Sequence, residues 1–308
     1  MTTALITHAE CLEHVTPDGH PERVARLEHV LHALQDLDLK RETDPNVDPA
    51  HLAYVHPQSH IDAIASGVPT DGFNQLDGDT WLSPGSLRAA HRAAGAVVRA
   101  VDMVLGGEVG NAFCAIRPPG HHAETATPMG FCLFGNAAIA AKHALEGHGL
   151  SRVAVVDFDV HHGNGTQDLL WSEPRALVIT SQQMPLWPGT GQPSERGAHD
   201  NVMNVPLAPR SGGAEMRAAY EAQVFPRLRD FEPELIIISA GFDAHQDDPL
   251  AELNWSTDDF GWLTRQLVSL AHELCEGRIV STLEGGYDLT ALAESTRVHV
   301  QELMGAAP

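Results

Sequence analysis

At 308 residues, with 43% hydrophobic and 19% charged side chains, the chain can bury a sizeable core and is too apolar for a disordered tail. Nineteen Lys and Arg against 41 Asp and Glu give a formal charge of −22, which argues against nucleic acid as a direct ligand and leans toward cationic partners. The four scattered cysteines (Cys11, Cys114, Cys132, Cys275) form no CxxC pair, no basic-then-apolar leader opens the chain, and no run of about 18 apolar residues occurs, so a cytoplasmic protein with reduced thiols and no membrane partner is expected.

In chain order, a short apolar strand is predicted around residues 5–6. Pro21-Glu22 opens a helix running to about Leu37, and residues 69–82 form a polar loop. Ser83-Pro84 starts an alanine-rich helix that stops near Gly106-Gly107. Strands follow at 112–116, 153–158 and 176–179, then a long loop over 181–210. A strand at 235–239, a helix announced by Ser256-Thr257-Asp258-Asp259 and a strand at 279–283 complete the pattern. Val153-Ala154-Val155-Val156 and Leu235-Ile236-Ile237-Ile238 are apolar without alternation, as strands covered on both faces are. With no repeat or linker, this predicts one α/β domain over residues 1–308, built on a central, mostly parallel sheet flanked by helices.

Ligands of open α/β sheets bind beyond the carboxyl ends of the strands. Four predicted strands end in chemistry: Arg117-Pro118-Pro119-Gly120-His121-His122, Asp157-Phe158-Asp159-Val160-His161-His162-Gly163-Asn164, Ala240-Gly241-Phe242-Asp243, and Glu284-Gly285-Gly286-Tyr287. Asp159-Val160-His161 sets two metal-capable side chains on one side of an extended segment, and Asp243 is the natural third donor of a centre with an open position. The His121-His122 pair suits general base chemistry near pH 7, with Asp157 and Asn164 as partners fixing tautomers. Gly285-Gly286 permits close backbone approach, and the Tyr287 hydroxyl would donate to a developing oxyanion.

Together with Gly19-His20-Pro21-Glu22-Arg23, Met129-Gly130-Phe131-Cys132, Pro188-Gly189-Thr190-Gly191 and the segments 240–245 and 283–288, these residues resemble the histone deacetylase family, on its bacterial, class II-like side. The resemblance implies the arginase–deacetylase fold and zinc-dependent hydrolysis of an acetyl-lysine peptide or protein, or of a similar small acetylated amine. It implies one Zn²⁺ per chain on Asp159, His161 and Asp243, with Fe²⁺ able to use the same donors. His121, His122 and Tyr287 match its catalytic groups, and Asp157 and Asn164 the residues behind the two histidines.

Gly130, Phe131, Trp187, Leu250 and Gly286 match the lining of an acyl-lysine tunnel, and Arg23 the arginine of an internal cavity proposed for acetate. A structural K⁺ is implied on Asp157, Asp159, His161, Thr180 and Ser181; Thr180 stands where Ser is usual and Gln182 where His is usual. A binuclear manganese ureohydrolase would need DxHxD and DxD patterns, but Gly163 and His245 occupy the required carboxylate positions. Tyr287 argues against a non-catalytic acyl-lysine binder. Leu250, where acetylpolyamine deacetylases carry an acidic gatekeeper, argues against that alternative. Asp79 reads as a solvated loop acid, and a homo-oligomer is compatible with all of this.

Overall fold

The computed structural model describes residues 2–43 and 45–305. Its strands are β1 (Thr3–Thr7), β2 (Lys40–Thr43), β3 (Asn74–Gln75), β4 (Trp81–Leu82) and β5 (Asn111–Cys114). They continue with β6 (Val153–Asp157), β7 (Ala176–Gln183), β8 (Val202–Leu207), β9 (Leu235–Ala240) and β10 (Ile279–Leu283). Eight of these form one sheet in the order β2-β1-β5-β10-β9-β6-β7-β8, every pairing parallel. The predicted single α/β domain with a parallel sheet is what the chain forms.

The central strands β6, β9 and β10 are buried along their whole length, as the apolar runs Val153–Val156 and Leu235–Ile238 require. Helices cover both faces because parallel strands need crossovers. The long Ser86–Leu105 helix lays its alanines against the sheet and comes so close to the main chain at Pro45 that Gly95 has no room for a side chain. The Thr257–Cys275 helix starts where Asp259 reaches back to the N–H and hydroxyl of Ser256, at 2.9 and 2.8 Å.

Some bounds differ from expectation. The first long helix covers only Val24–Ala33: Arg23 is still extended, and the chain leaves the helix at Leu34. The segment 69–82 holds the antiparallel pair β3–β4, and the segment 181–210 holds the end of β7 and all of β8. β2 and β8 are the sheet's edges. β2 is polar, and β8 carries Pro206, which an edge strand tolerates because one side has no ladder to complete.

The sheet order positions the chemistry. β5, β10, β9 and β6 are consecutive neighbours, so the four segments that follow them emerge side by side at one edge. β9 and β10 are laid between β5 and β6, where the order of strand addition breaks, and this is the usual place for a ligand crevice.

Candidate active site

One carboxylate oxygen of Asp159, beyond β6, and one of Asp243, beyond β9, approach the same nitrogen of His161. Nδ1 of His161 lies 3.2 Å from Oδ1 of Asp159 and 3.1 Å from Oδ2 of Asp243. Both carboxylates are fully buried. Their other oxygens are held by main-chain N–H groups, Gly285 to Asp159 Oδ2 at 2.8 Å and Val160 to Asp243 Oδ1 at 2.9 Å. A side chain at Gly285 would collide with both carboxylates, which is why this turn needs glycine.

This donor set suits a divalent cation. Bonds of about 2.0–2.1 Å in tetrahedral geometry place donors about 3.3 Å apart, close to the spacing here. The electrostatics agree. Burial opposes charge on His161, but Asp159 and Asp243 outweigh it and push the imidazole up to about 10. A proton on His161 thus stands in for the positive charge that two buried carboxylates demand. Burial, and then Asp159, push Asp243 up to about 7.

The tandem histidines follow β5. Glu284 turns back to accept from the N–H of Gly120 (2.7 Å) and of His121 (3.1 Å), pinning this turn to the segment after β10. The two rings pack against each other at a 42° tilt, centroids 3.8 Å apart. Nδ1 of His121 meets Asp157 at 2.9 Å, and Nδ1 of His122 meets Oδ1 of Asn164 at 2.8 Å. The Asn164 amide donates to the carboxylate of Glu124 at 2.8 Å. A carboxylate only accepts, so Glu124 fixes which end of Asn164 faces His122; Nδ1 of His122 must then carry the proton, and its Nε2 keeps a free lone pair. Burial, followed by the nearby His121 and His161, holds His122 well below the ordinary histidine range.

A pocket of about 320 Å³ opens onto these groups, lined by His122, His161, Tyr287, Gly130, Phe131, Trp187 and Leu250. Trp187 is 42% exposed at its mouth, and its indole meets the His122 ring edge-on at 4.7 Å. Phe131 meets Tyr287 at 5.8 Å. Phe131 itself sits at φ 69°, a left-handed conformation held by a hydrogen bond from its N–H to Thr80 Oγ1 at 3.0 Å; such strain gathers at ligand-facing turns. Gly130 has no room for a side chain between His122 and Trp187. Gly286 takes φ 120°, which favours glycine, and hands the chain to Tyr287. Burial pushes the Tyr287 phenol well above its ordinary range, so it stays a hydrogen-bond donor.

One residue is misplaced by sequence reasoning. Arg23 is exposed at the surface, one residue before the Val24–Ala33 helix, and lines no interior space. The buried arginine of this segment is Arg26, on the inward stripe of that helix. It donates to the carbonyls of Gly286 (2.6 Å) and Glu284 (2.5 Å), stacks 4.9 Å from the Tyr287 ring, and pairs with Glu22 at 3.0 Å. Glu22, also buried, is shared with Arg117. Burial would raise its pKa, but Arg117 and then Arg26 hold it well below the carboxylate range.

Arg26 and Glu124 stand outside the motifs read from the sequence, and His20, Glu22 and Glu284 lie within them without an assigned role. His20 bridges Asp79 O and Glu22 O at 2.9 Å each and meets the Phe131 ring at 4.8 Å. Asp79 also borders the pocket rather than standing free in solvent.

The residues expected around potassium lie together, Asp157 pairing with Thr180 across β6 and β7. Thr180 donates to Asn204 at 2.7 Å, and the Ser181 and Tyr220 hydroxyls meet at 2.7 Å, so oxygen lone pairs are what these residues offer a cation. Gln182 donates to Gly191 O at 2.8 Å and so ties β7 to the loop that carries Trp187.

An all-parallel α/β sheet with a two-carboxylate, one-imidazole centre under a narrow apolar pocket defines a hydrolase of the deacetylase class. The Histone deacetylase domain family matches residues 20–303. The chain is 37% identical over 311 residues to "Histone deacetylase 10, chloroplastic" of Oryza sativa, covering 94% of this chain and 70% of that one. It is 34% identical over 309 residues to a "Probable deacetylase" of Archaeoglobus fulgidus, covering 97% and 85%. The crystal structure of the HDA15 HD domain superposes with a TM-score of 0.94 at 32% identity, over 99% of this chain and 89% of that one. The chain belongs to the histone deacetylase family.

Proposed function

We propose that the chain removes acetyl groups from lysine side chains of peptides or proteins, or from similar small amides, with zinc on Asp159, His161 and Asp243. The observation that carries this is the convergence of that centre, the tandem histidines and Tyr287 at the buried end of one aromatic-walled pocket. Phe131 and Trp187 would grip an extended aliphatic stem, and Gly130 and Gly286 leave room for it.

A zinc ion on the three donors would supply Lewis-acid polarisation of the amide carbonyl. Nε2 of His122 takes the proton of the attacking water, since its Nδ1 is committed to Asn164. His121, oriented by Asp157, holds positive charge beside it and shares in returning a proton to the departing amine. Tyr287 donates its hydroxyl to the oxyanion. Arg26 fixes the carbonyls on either side of Gly285 and so the approach of Tyr287.

A structural potassium on Asp157, Asp159, His161, Thr180 and Ser181 belongs to the same proposal, as does a cytoplasmic setting. All four cysteines are buried with no disulfide among them, and among the described residues no helix is long and apolar enough to cross a membrane. An acetylpolyamine substrate has one observation in its favour, the Asp79 carboxylate at the pocket; the apolar Leu250 in the same lining opposes it.

The test is Tyr287→Phe. Turnover of an acetyl-lysine peptide should fall about 10²-fold or more with zinc content unchanged, as for loss of one oxyanion donor. Unchanged turnover would remove Tyr287 from the reaction.

A further inference from the structure

Asp102 lies in the last turn of the Ser86–Leu105 helix, His143 near the end of the Asn136–Glu146 helix, and His148 in the turn that follows. The chain runs from these points into the starts of β5 and β6, so they belong to the edge of the sheet opposite the candidate active site. We propose that these three residues form a second metal site, for a divalent transition-metal ion such as Zn²⁺.

Oδ1 of Asp102 lies 2.7 Å from Nε2 of His143 and 2.7 Å from Nε2 of His148, and the three donor atoms fall within 4.8 Å of one another. Two imidazole nitrogens and a carboxylate oxygen are a set that zinc takes when three protein ligands leave a position open. Small side-chain rotations bring such donors to tetrahedral spacing.

The protein frame favours this arrangement. The N–H groups of Gly147 and His148 both bond to the carbonyl of His143, at 2.8 and 3.3 Å, which folds the chain back over the His143 ring. Gly149, at φ 72°, continues the turn. Five residues apart on a continuous helix, the two histidines would point about 140° apart; the turn cancels that divergence. The His143 ring is buried and braced edge-on by His51 at 4.7 Å, while Asp102 and His148 are partly exposed and leave the open side to water. Among the described residues Nδ1 of His143 has no hydrogen-bond partner. Such a partner typically adds about 10- to 100-fold in affinity, so this site should bind more weakly than one whose histidines are both braced. Without metal the same residues form a hydrogen-bonded triad, and metal stoichiometry separates the two states.

The full chain, stripped with chelator and dialysed against Zn²⁺, should retain two equivalents. His148→Ala and Asp102→Asn should each lose one equivalent and keep acetyl-lysine turnover, whereas Asp243→Asn should lose the other. With Co²⁺ in place of Zn²⁺, the visible spectrum of His148→Ala should lack one component of the wild-type spectrum. Equal zinc in wild type, His148→Ala and Asp102→Asn would overturn the site. A single wild-type equivalent lost on Asp243→Asn would overturn it too. A single equivalent lost on His148→Ala would uphold it and count instead against zinc in the pocket.

Discussion

Asp248 holds Tyr287 by its backbone: Oδ2 of the buried carboxylate accepts from the Tyr287 N–H at 2.7 Å. Its other oxygen accepts from the N–H of Leu250 at 3.0 Å, so one side chain sets both the pocket-lining leucine and the tyrosine. Asp248→Ala would leave the Tyr287 N–H buried and unpaired, at about 1–3 kcal/mol. We expect kcat to fall about tenfold or more, with KM and zinc content little changed and Asp248→Asn intermediate, because it keeps one acceptor. A loss of activity that tracked zinc content would show that Asp248 acts on the metal centre instead.

Leu250→Glu puts a carboxylate in the pocket lining. The ratio of kcat/KM for an acetylpolyamine over an acetyl-lysine peptide should rise, since a local charge favours a cationic amine over a neutral peptide backbone. A ratio equal to that of wild type would remove Leu250 from substrate selection.

Arg23 and Arg26 are three residues apart and should respond differently. Arg26→Met leaves Glu22 with less compensation and frees two carbonyls beside Tyr287, so unfolding free energy should drop by about 3 kcal/mol or more and kcat should fall. Arg23→Ala, at the surface, should stay within about 0.5 kcal/mol of wild type. Denaturant unfolding of the two variants side by side measures both; equal effects would contradict the assignment of Arg26.

Acid should destabilise the fold through buried neutral histidines. His299 is fully buried between the hydroxyls of Thr264 (2.7 Å) and Ser281 (2.8 Å), and burial holds it down to about 3. The unfolded chain, titrating near about 6.5, then binds more protons than the folded one as pH falls. Stability is therefore full above about pH 6.5 and is lost progressively toward pH 3. His14 and His56, both held down to about 4 with burial the main cause, add to the same slope. The midpoint of urea unfolding should fall between pH 7 and pH 5, and fall less in His299→Gln. An unchanged slope in the variant would assign the acid sensitivity elsewhere.

The core strands were legible because Leu235–Ile238 and Val153–Val156 are unbroken apolar runs in strands buried along their whole length. β2 and β8 were not, because an edge strand needs neither: Lys40-Arg41-Glu42 is polar and largely exposed, and Pro206 reads as a breaker. Asp159, His161, Asp243 and the tandem histidines were legible because each follows an apolar run. Glu124 and Glu284 were not, since a carboxylate in a connecting segment looks solvated until the fold brings Asn164 or Gly120 to it. The helix register had a signal: Arg26 falls on the inward stripe with Leu27 and Val30, while Arg23 precedes the helix.

The most direct test of the central claim is turnover by the zinc-loaded protein of an acetyl-lysine peptide and an acetylpolyamine, side by side, with a chelator control. We predict release of acetate from both that chelator abolishes, with the higher kcat/KM on the peptide. A polyamine preference would keep the chemistry and overturn the substrate; no turnover of either by the zinc-loaded protein, or turnover indifferent to chelator, would contradict zinc-dependent deacetylation itself.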